Sequence, residues 1–144
     1  PVQTDGVIAE PFNPLAAAIS IGAPFVARAF TGDAELTKNI IKEAIQYKGY
    51  ALVDILDPCV SFNKTNTFKW YKEHTYRLPD TWDASDRMNA LEKTFEADPL
   101  PLGIFYRRAD RKPSFEEQLS VYASDKSPLW RRTRSPEQLA KLMK

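Results

Sequence analysis

Gly49 to Asn63, GYALVDILDPCVSFN, constrains this chain more than any other stretch. Tyr50 to Leu56 make an apolar run interrupted by one acid, Asp54. A short run of that kind reads as a strand buried on both faces. Pro58 ends it, because proline cannot donate to a ladder. Cys59 follows at once, and it is the only cysteine in 144 residues. In open α/β sheets, ligands and cofactors sit in the crevice beyond the carboxyl ends of the strands. Cys59 therefore has two readings. It is a soft ligand presented at a strand end, or a structural thiol buried as a small hydrophobe. The polar neighbours Ser61 and Asn63 suit a loop that satisfies its own backbone.

The elements before this strand set the fold class. Asn13-Pro14 is a helix start, with Asn as N-cap and Pro at the first helical position, and Gly22 is a natural stop. Phe25 to Phe30 alternates in part and reads as a short strand. Thr31 or Asp33 can cap a helix over Ala34 to Tyr47. There Leu36, Ile40, Ile41, Ala44 and Ile45 share a face, and Gly49 ends the segment. The order helix, strand, helix, strand predicts an α/β fold with parallel strands. Two strands are too few for a stable open sheet, so further strands are expected before Pro1.

After Asn63 the character changes. Asn66 to Leu78, NTFKWYKEHTYRL, is aromatic and basic, which suits packing against a sheet edge or a partner subunit. Ser85 is expected to cap a helix over Asp86 to Ala97, with Met88, Leu91 and Phe95 at helical spacing. Leu102 to Arg107 is a further candidate strand. Ser114 with Glu117 forms a capping box, and Pro136 opens a last short helix to Met143. His74 is the only histidine, and Lys72 and Arg77 nearby favour a surface role. The run Lys126 to Arg134 reads as a solvated face, in which Trp130 points to a contact between subunits.

Composition excludes several classes. Net charge is +1, so no global field favours nucleic acid. One cysteine excludes an internal disulfide framework and fits a reducing, cytoplasmic setting. No apolar run approaches the roughly 20 residues that span a bilayer. The N-terminus is polar and unlike a signal peptide, and a start at Pro1 suggests processing or a fragment. No catalytic dyad, triad or phosphate-cradling glycine loop stands out.

Several stretches together resemble the β subunits of 2-oxoacid:ferredoxin oxidoreductases. They are Glu10 to Leu15 with Gly22 to Arg28, then Gly49 to Asn63, then Pro101 to Tyr106 with Lys112 to Glu117. The resemblance implies oxidative decarboxylation of a 2-oxoacid such as pyruvate, with coenzyme A as acyl acceptor and ferredoxin as electron acceptor. It implies an α subunit as partner, an oligomeric complex, and thiamine diphosphate with Mg²⁺ and a 4Fe-4S cluster in the β subunit. In that family a cysteine in a Pro-Cys-Val-(Thr/Ser)-Phe-Asn context is the last cluster ligand, which maps onto Cys59. Asp57 would place a negative charge beside that cluster and lower its potential. The family's other cluster cysteines and its Gly-Asp-Gly motif are absent here.

The chain thus resembles the C-terminal half of such a subunit. No catalytic residue and no complete cofactor-binding set is assigned to it, and alone it is expected to be inactive. Residues 1–63 are expected to belong to the thiamine diphosphate-binding parallel-sheet domain. Residues 64–144 are expected to form a helical C-terminal appendage that covers it and makes contacts between subunits. The competing reading is a non-catalytic α/β interaction module with a structural cysteine.

Overall fold

The computed structural model describes residues 9–110, 113–133 and 135–143. The chain divides into two compact units, residues 1–111 and 112–144. In the first, the order is α1 (Pro14–Ser20), β1 (Phe25–Phe30), α2 (Ala34–Gln46), β2 (Ala51–Leu56), α3 (Phe68–Glu73), β3 (Thr75–Arg77), α4 (Arg87–Lys93) and β4 (Leu100–Arg107). The strands form one sheet in the order β2-β1-β4-β3. The boundary between units falls at 111/112 and not at 63/64, because β3 and β4 extend the sheet that β1 and β2 begin.

The expected α/β class holds, and β1 and β2 are parallel, with Arg28 opposite Asp54. The sheet as a whole is mixed. β4 runs antiparallel to β1, with a register shift between Val26 and Ala27, while β3 is parallel to β4. Helix periodicity and short runs do not encode which edge a distant strand will take. That is why β4 was legible as a strand but not as a neighbour of β1.

Burial reverses the expectation for the two strands. β1 is the strand buried along its whole length, whereas β2 is half-buried, with Ile55 exposed. β1 lies between two strands and under helices on both faces. Phe25, Ala27 and Ala29 pack with Ile40 of α2. Val26 packs on the other face with Leu15 and Ile19 of α1 and with Phe105. β2 has a single strand neighbour and lies at an edge of the described sheet.

Side chains fasten the helices to this frame. Asn13 Oδ1 accepts from the Ala16 amide at 3.0 Å, as the N-cap of α1, while its Nδ2 donates to the Thr94 carbonyl at 2.9 Å. Gly22, at φ +89°, takes the left-handed turn that ends α1. Arg87 donates to the Ile19 carbonyl at 2.7 Å and to the Ser20 carbonyl at 2.9 Å, supplying donors to the end of α1. The cap of α4 is Asp86, not Ser85, whose hydroxyl is bound by Asp83, and the helix stops at Lys93. Met88 and Phe95 face outward; Ala90 and Leu91 provide its packing.

The second unit holds α5 (Phe115–Gln118), 3₁₀ turns at Ser120–Tyr122 and Leu129–Arg131, and α6 (Pro136–Leu142). The expected capping box of Ser114 and Glu117 is present. Arg132 organises the segment before α6. It donates to the carbonyls of Val121 at 2.6 Å, Ser127 at 2.8 Å and Asp125, and lies 4.9 Å from the Tyr122 ring centroid. Arg134 and Lys112 lie outside the described residues.

Candidate functional site

The parallel strands β1 and β2 end side by side, and their exits build the site. β1 leads through Thr31 to Asp33, whose carboxylate caps α2 by accepting from the Leu36 amide at 3.2 Å. The same carboxylate takes two hydrogen bonds from Arg77, each 2.7 Å. These bonds hold the Asp33 carboxyl below its usual range. β2 leads to Asp57, buried Pro58 and Cys59. Thr31 joins the two exits: its amide donates to the Leu56 carbonyl at 3.1 Å and its hydroxyl to Asp57 Oδ1 at 3.0 Å.

The loop after Cys59 is fixed by its own polar groups. The Asn63 amide donates to the Cys59 carbonyl at 3.0 Å. Asn63 Oδ1 accepts from the amides of Thr65 at 3.0 Å and Asn66 at 2.9 Å. Lys64 Nζ donates back to the Val60 carbonyl at 2.6 Å. Thr67 caps α3, and Phe68 and Tyr71 of that helix set their rings 5.7 and 5.5 Å from Phe30 at the end of β1. The aromatic-basic segment thus packs on the sheet, as expected.

Cys59 is exposed and unpaired, which removes the buried-thiol reading. Its thiol lies below the ordinary value, first because of the backbone amide of Phe62, then that of Ser61, with smaller help from Asn63 and Lys64. A sulfur held in that way favours the thiolate, the form that ligates metals. Val60 and Phe62 beside it are 70% and 91% exposed, so the loop offers the sulfur together with apolar surface.

Other candidates are placed elsewhere. His74 is engaged by Asp98 through Nδ1 at 2.7 Å and stacks on Trp70 at 4.3 Å. A cleft of about 460 Å³ opens by the first turn of α2, walled by Phe30, Asp33, Lys72 and Arg77 among others, and Cys59 is not in its wall. Trp130 is 78% exposed under the Arg131 guanidinium, 4.7 Å from the ring centroid. Sequence reasoning missed Thr31 as the tie between strand ends. A threonine after an apolar strand carries no signal by itself until its neighbour strand is known.

Fold and loop define a class: an open α/β sheet that presents a thiolate-favouring cysteine at the carboxyl end of a strand. Known proteins narrow it. Residues 59–124 match the family described as the C-terminal part of the pyruvate ferredoxin oxidoreductase beta subunit. The chain is 41% identical over 122 residues to a 2-oxoacid:ferredoxin oxidoreductase subunit beta of Sulfolobus sp, covering 76% of this chain and 39% of that protein. It is 36% identical over 132 residues to the 2-oxoacid:ferredoxin oxidoreductase 1 subunit beta of Aeropyrum pernix, covering 81% and 41%. A solved structure, 2-oxoglutarate:ferredoxin oxidoreductase from Magnetococcus marinus with 2-oxoglutarate, coenzyme A and succinyl-CoA bound, superposes with a TM-score of 0.78 at 27% identity. That match covers 96% of this chain and 47% of the other. The chain belongs with the β subunits of the 2-oxoacid:ferredoxin oxidoreductases. It spans about two fifths of the length of the curated relatives it matches.

Proposed function

We propose that this chain serves as part of the β subunit of an enzyme that oxidatively decarboxylates a 2-oxoacid, with coenzyme A as acyl acceptor and ferredoxin as electron acceptor. One observation carries the reading. Cys59 is exposed at the carboxyl end of β2, in a loop whose amides favour its thiolate. That donor chemistry fits one corner of a 4Fe-4S cluster, which is held by thiolates. Among the described residues no three His, Cys, Asp or Glu side chains gather into a metal site. Cys59 is therefore a single ligand, and the remaining cluster cysteines, like the groups that hold thiamine diphosphate and Mg²⁺, would come from other parts of the subunit.

When bound, thiamine diphosphate supplies the carbanion chemistry and the cluster a one-electron path. The residues of this chain do positional work. Thr31 and Pro58 fix the strand exit, Asn63 closes the loop, and the loop amides of Phe62 and Ser61 favour the Cys59 thiolate. In functional terms, the ends of β1 and β2 belong to the cofactor-bearing domain, whose sheet β4 and β3 extend. The open edge of β2 accepts the further strands of the complete sheet. Trp130 with Arg131 has the residue chemistry of an interface anchor and is assigned to the contact with the α subunit. Among the described residues no helix is long and apolar enough to cross a membrane, and a free thiol suits a reducing cytoplasm.

The test is Cys59→Ala in the complete, assembled enzyme, with iron content and visible absorbance measured. Loss of iron and bleaching are expected; an unchanged cluster would refute the assignment.

A further inference from the structure

We propose that the outer flank of α2, with Ile41 and Ile45 at its centre, is packed by a helix from the part of the complete β polypeptide that precedes Pro1. The inference rests on the reading of this chain as part of a longer β subunit. It goes beyond the pairing of β2 with further strands by assigning the face of α2 on which the helix above those strands lies.

The stripe is built into α2. At roughly 100° per residue, Ile41 and Ile45 lie about 100° and 140° round from buried Ile40, and Glu43 about 60° the other way. Leu36, Ile40 and Ala44 pack on the sheet. The Glu43 side is closed, because Arg107 of β4 donates to its carboxylate at 2.8 Å. The isoleucine side therefore leans the opposite way, over β2 and toward its open edge. A shallow depression of about 420 Å³ marks the same direction, lined by Thr31, Ala34, Thr37, Lys38, Ile41 and Lys42. Thr31 is itself bound to the end of β2 through the Leu56 carbonyl. Ile45 is 78% exposed, and Ile41 is exposed as well. Ile55 of β2 shares the α2 face with Ala51 and Val53 by strand alternation and is also exposed.

An apolar stripe beside an open strand edge suits a neighbouring helix in the same layer. Helices pack about 8–10 Å apart and strands about 4.8 Å, so a helix beside α2 stands roughly two strand widths further out. It needs strands beneath it, and the edge of β2 is where they pair. One crossover unit supplies both, a helix and the parallel strand joined to it. Lys38 and Lys42 border the stripe without an ion-pair partner among the described residues. Acidic side chains on the incoming helix are the complement that fits them. The occupant is assigned to the same polypeptide for two reasons. The match to the C-terminal family model begins only at Cys59. The β subunits similar to this chain carry more than half of their length outside the match.

The experiment places the photoreactive residue benzoylphenylalanine at position 45 of the complete β polypeptide in the assembled enzyme. After irradiation, the attached peptide is identified by mass spectrometry. Attachment within the same β polypeptide, before Pro1, is expected. Attachment to the α subunit, to a second β copy, within residues 1–144 or to nothing overturns the proposal. In the same assembly, Ile45→Lys is expected to lower the thermal midpoint by about 4 °C or more. A lysine in the last turn suits a helix whose flank stays exposed, so an unmoved or raised midpoint overturns the proposal too. Gln46→Lys, on the exposed far side of α2, is the unchanged control. If Ile45→Lys does not assemble, the cross-link decides. The two readings fail separately: a cluster retained in Cys59→Ala overturns the ligand assignment alone, and a cross-link elsewhere overturns this inference alone.

Discussion

β1, FVARAF, and β2, ALVDIL, have the same length, and each is apolar but for one charged residue. The two charges face each other in register, and Arg28 Nε donates to Asp54 Oδ2 at 2.9 Å. Yet every residue of β1 is buried, while β2 is only half covered. Composition therefore does not decide which of two apolar strands is interior. Neighbours do: β1 has a strand on each side and helices above and below, and β2 has one strand and an open edge. The ion pair shows the same gradient. The side chain of Arg28 is 9% exposed and that of Asp54 25%, and Arg28 Nη1 is buried without a hydrogen-bond partner. The guanidinium lies 5.8 Å from the Phe105 ring centroid, so the aromatic face supplies part of what water would. An apolar edge strand is a template for pairing with a further strand.

This contrast can be broken or sharpened. The largest effect is expected at β1. Phe25 is fully buried between α2 and the sheet, and Phe25→Ala should cost about 3–5 kcal/mol, as large aromatic truncations in cores do. Thermal or denaturant unfolding of the complete subunit measures it, and a cost below about 1 kcal/mol would deny β1 its interior role.

Leu52 of β2, only partly buried here, is the sharper probe. If further strands cover β2, Leu52→Ala in the complete subunit should cost about 2–4 kcal/mol, close to a core leucine. A cost under about 1 kcal/mol would leave β2 a true edge, as surface substitutions cost little. The smallest effect is expected at the opposite edge, where Arg77 of β3 reaches Asp33. Arg77 lowers the folded-state pKa of Asp33, so this pair stabilises above the unfolded carboxyl value near 3.8 and is lost as pH falls below it. In Arg77→Gln the stability decline below about pH 4 should be shallower than in the parent. An identical acid limb in both would show that the pair contributes nothing.

What could be read from the sequence was local. Asn13-Pro14, Ser114 with Glu117 and Pro136 announce helices because a helix start needs only the next few residues, and all three helices are present. The strand-end position of Cys59 was legible for the same reason, since a strand, a proline and a turn sit in one short window of chain, whereas its exposure was not. One miss is itself local: Asp86 displaces Ser85 as a cap because Ser85 is taken by Asp83, two residues before it. The rest depends on distant partners. The length of α4 is cut where the Thr94 hydroxyl turns back to the Leu91 carbonyl and Asn13 takes the Thr94 carbonyl. β4 lies beside β1 although most of the first unit's chain separates them, as Phe25 opposite Arg107 shows, and no window of periodicity reports that.

The double engagement of Asn13 restricts what can stand there. Its oxygen accepts from the Ala16 amide while its nitrogen donates to the Thr94 carbonyl, 81 residues away. Aspartate would accept but has no hydrogen to give, and serine offers one short hydroxyl for two directions. Glycine tolerates the cap conformation but makes neither bond. Position 13 thus has an alphabet of nearly one letter, although nothing about it is catalytic. A cap residue chosen for local helix chemistry has become the spelling of a long-range junction.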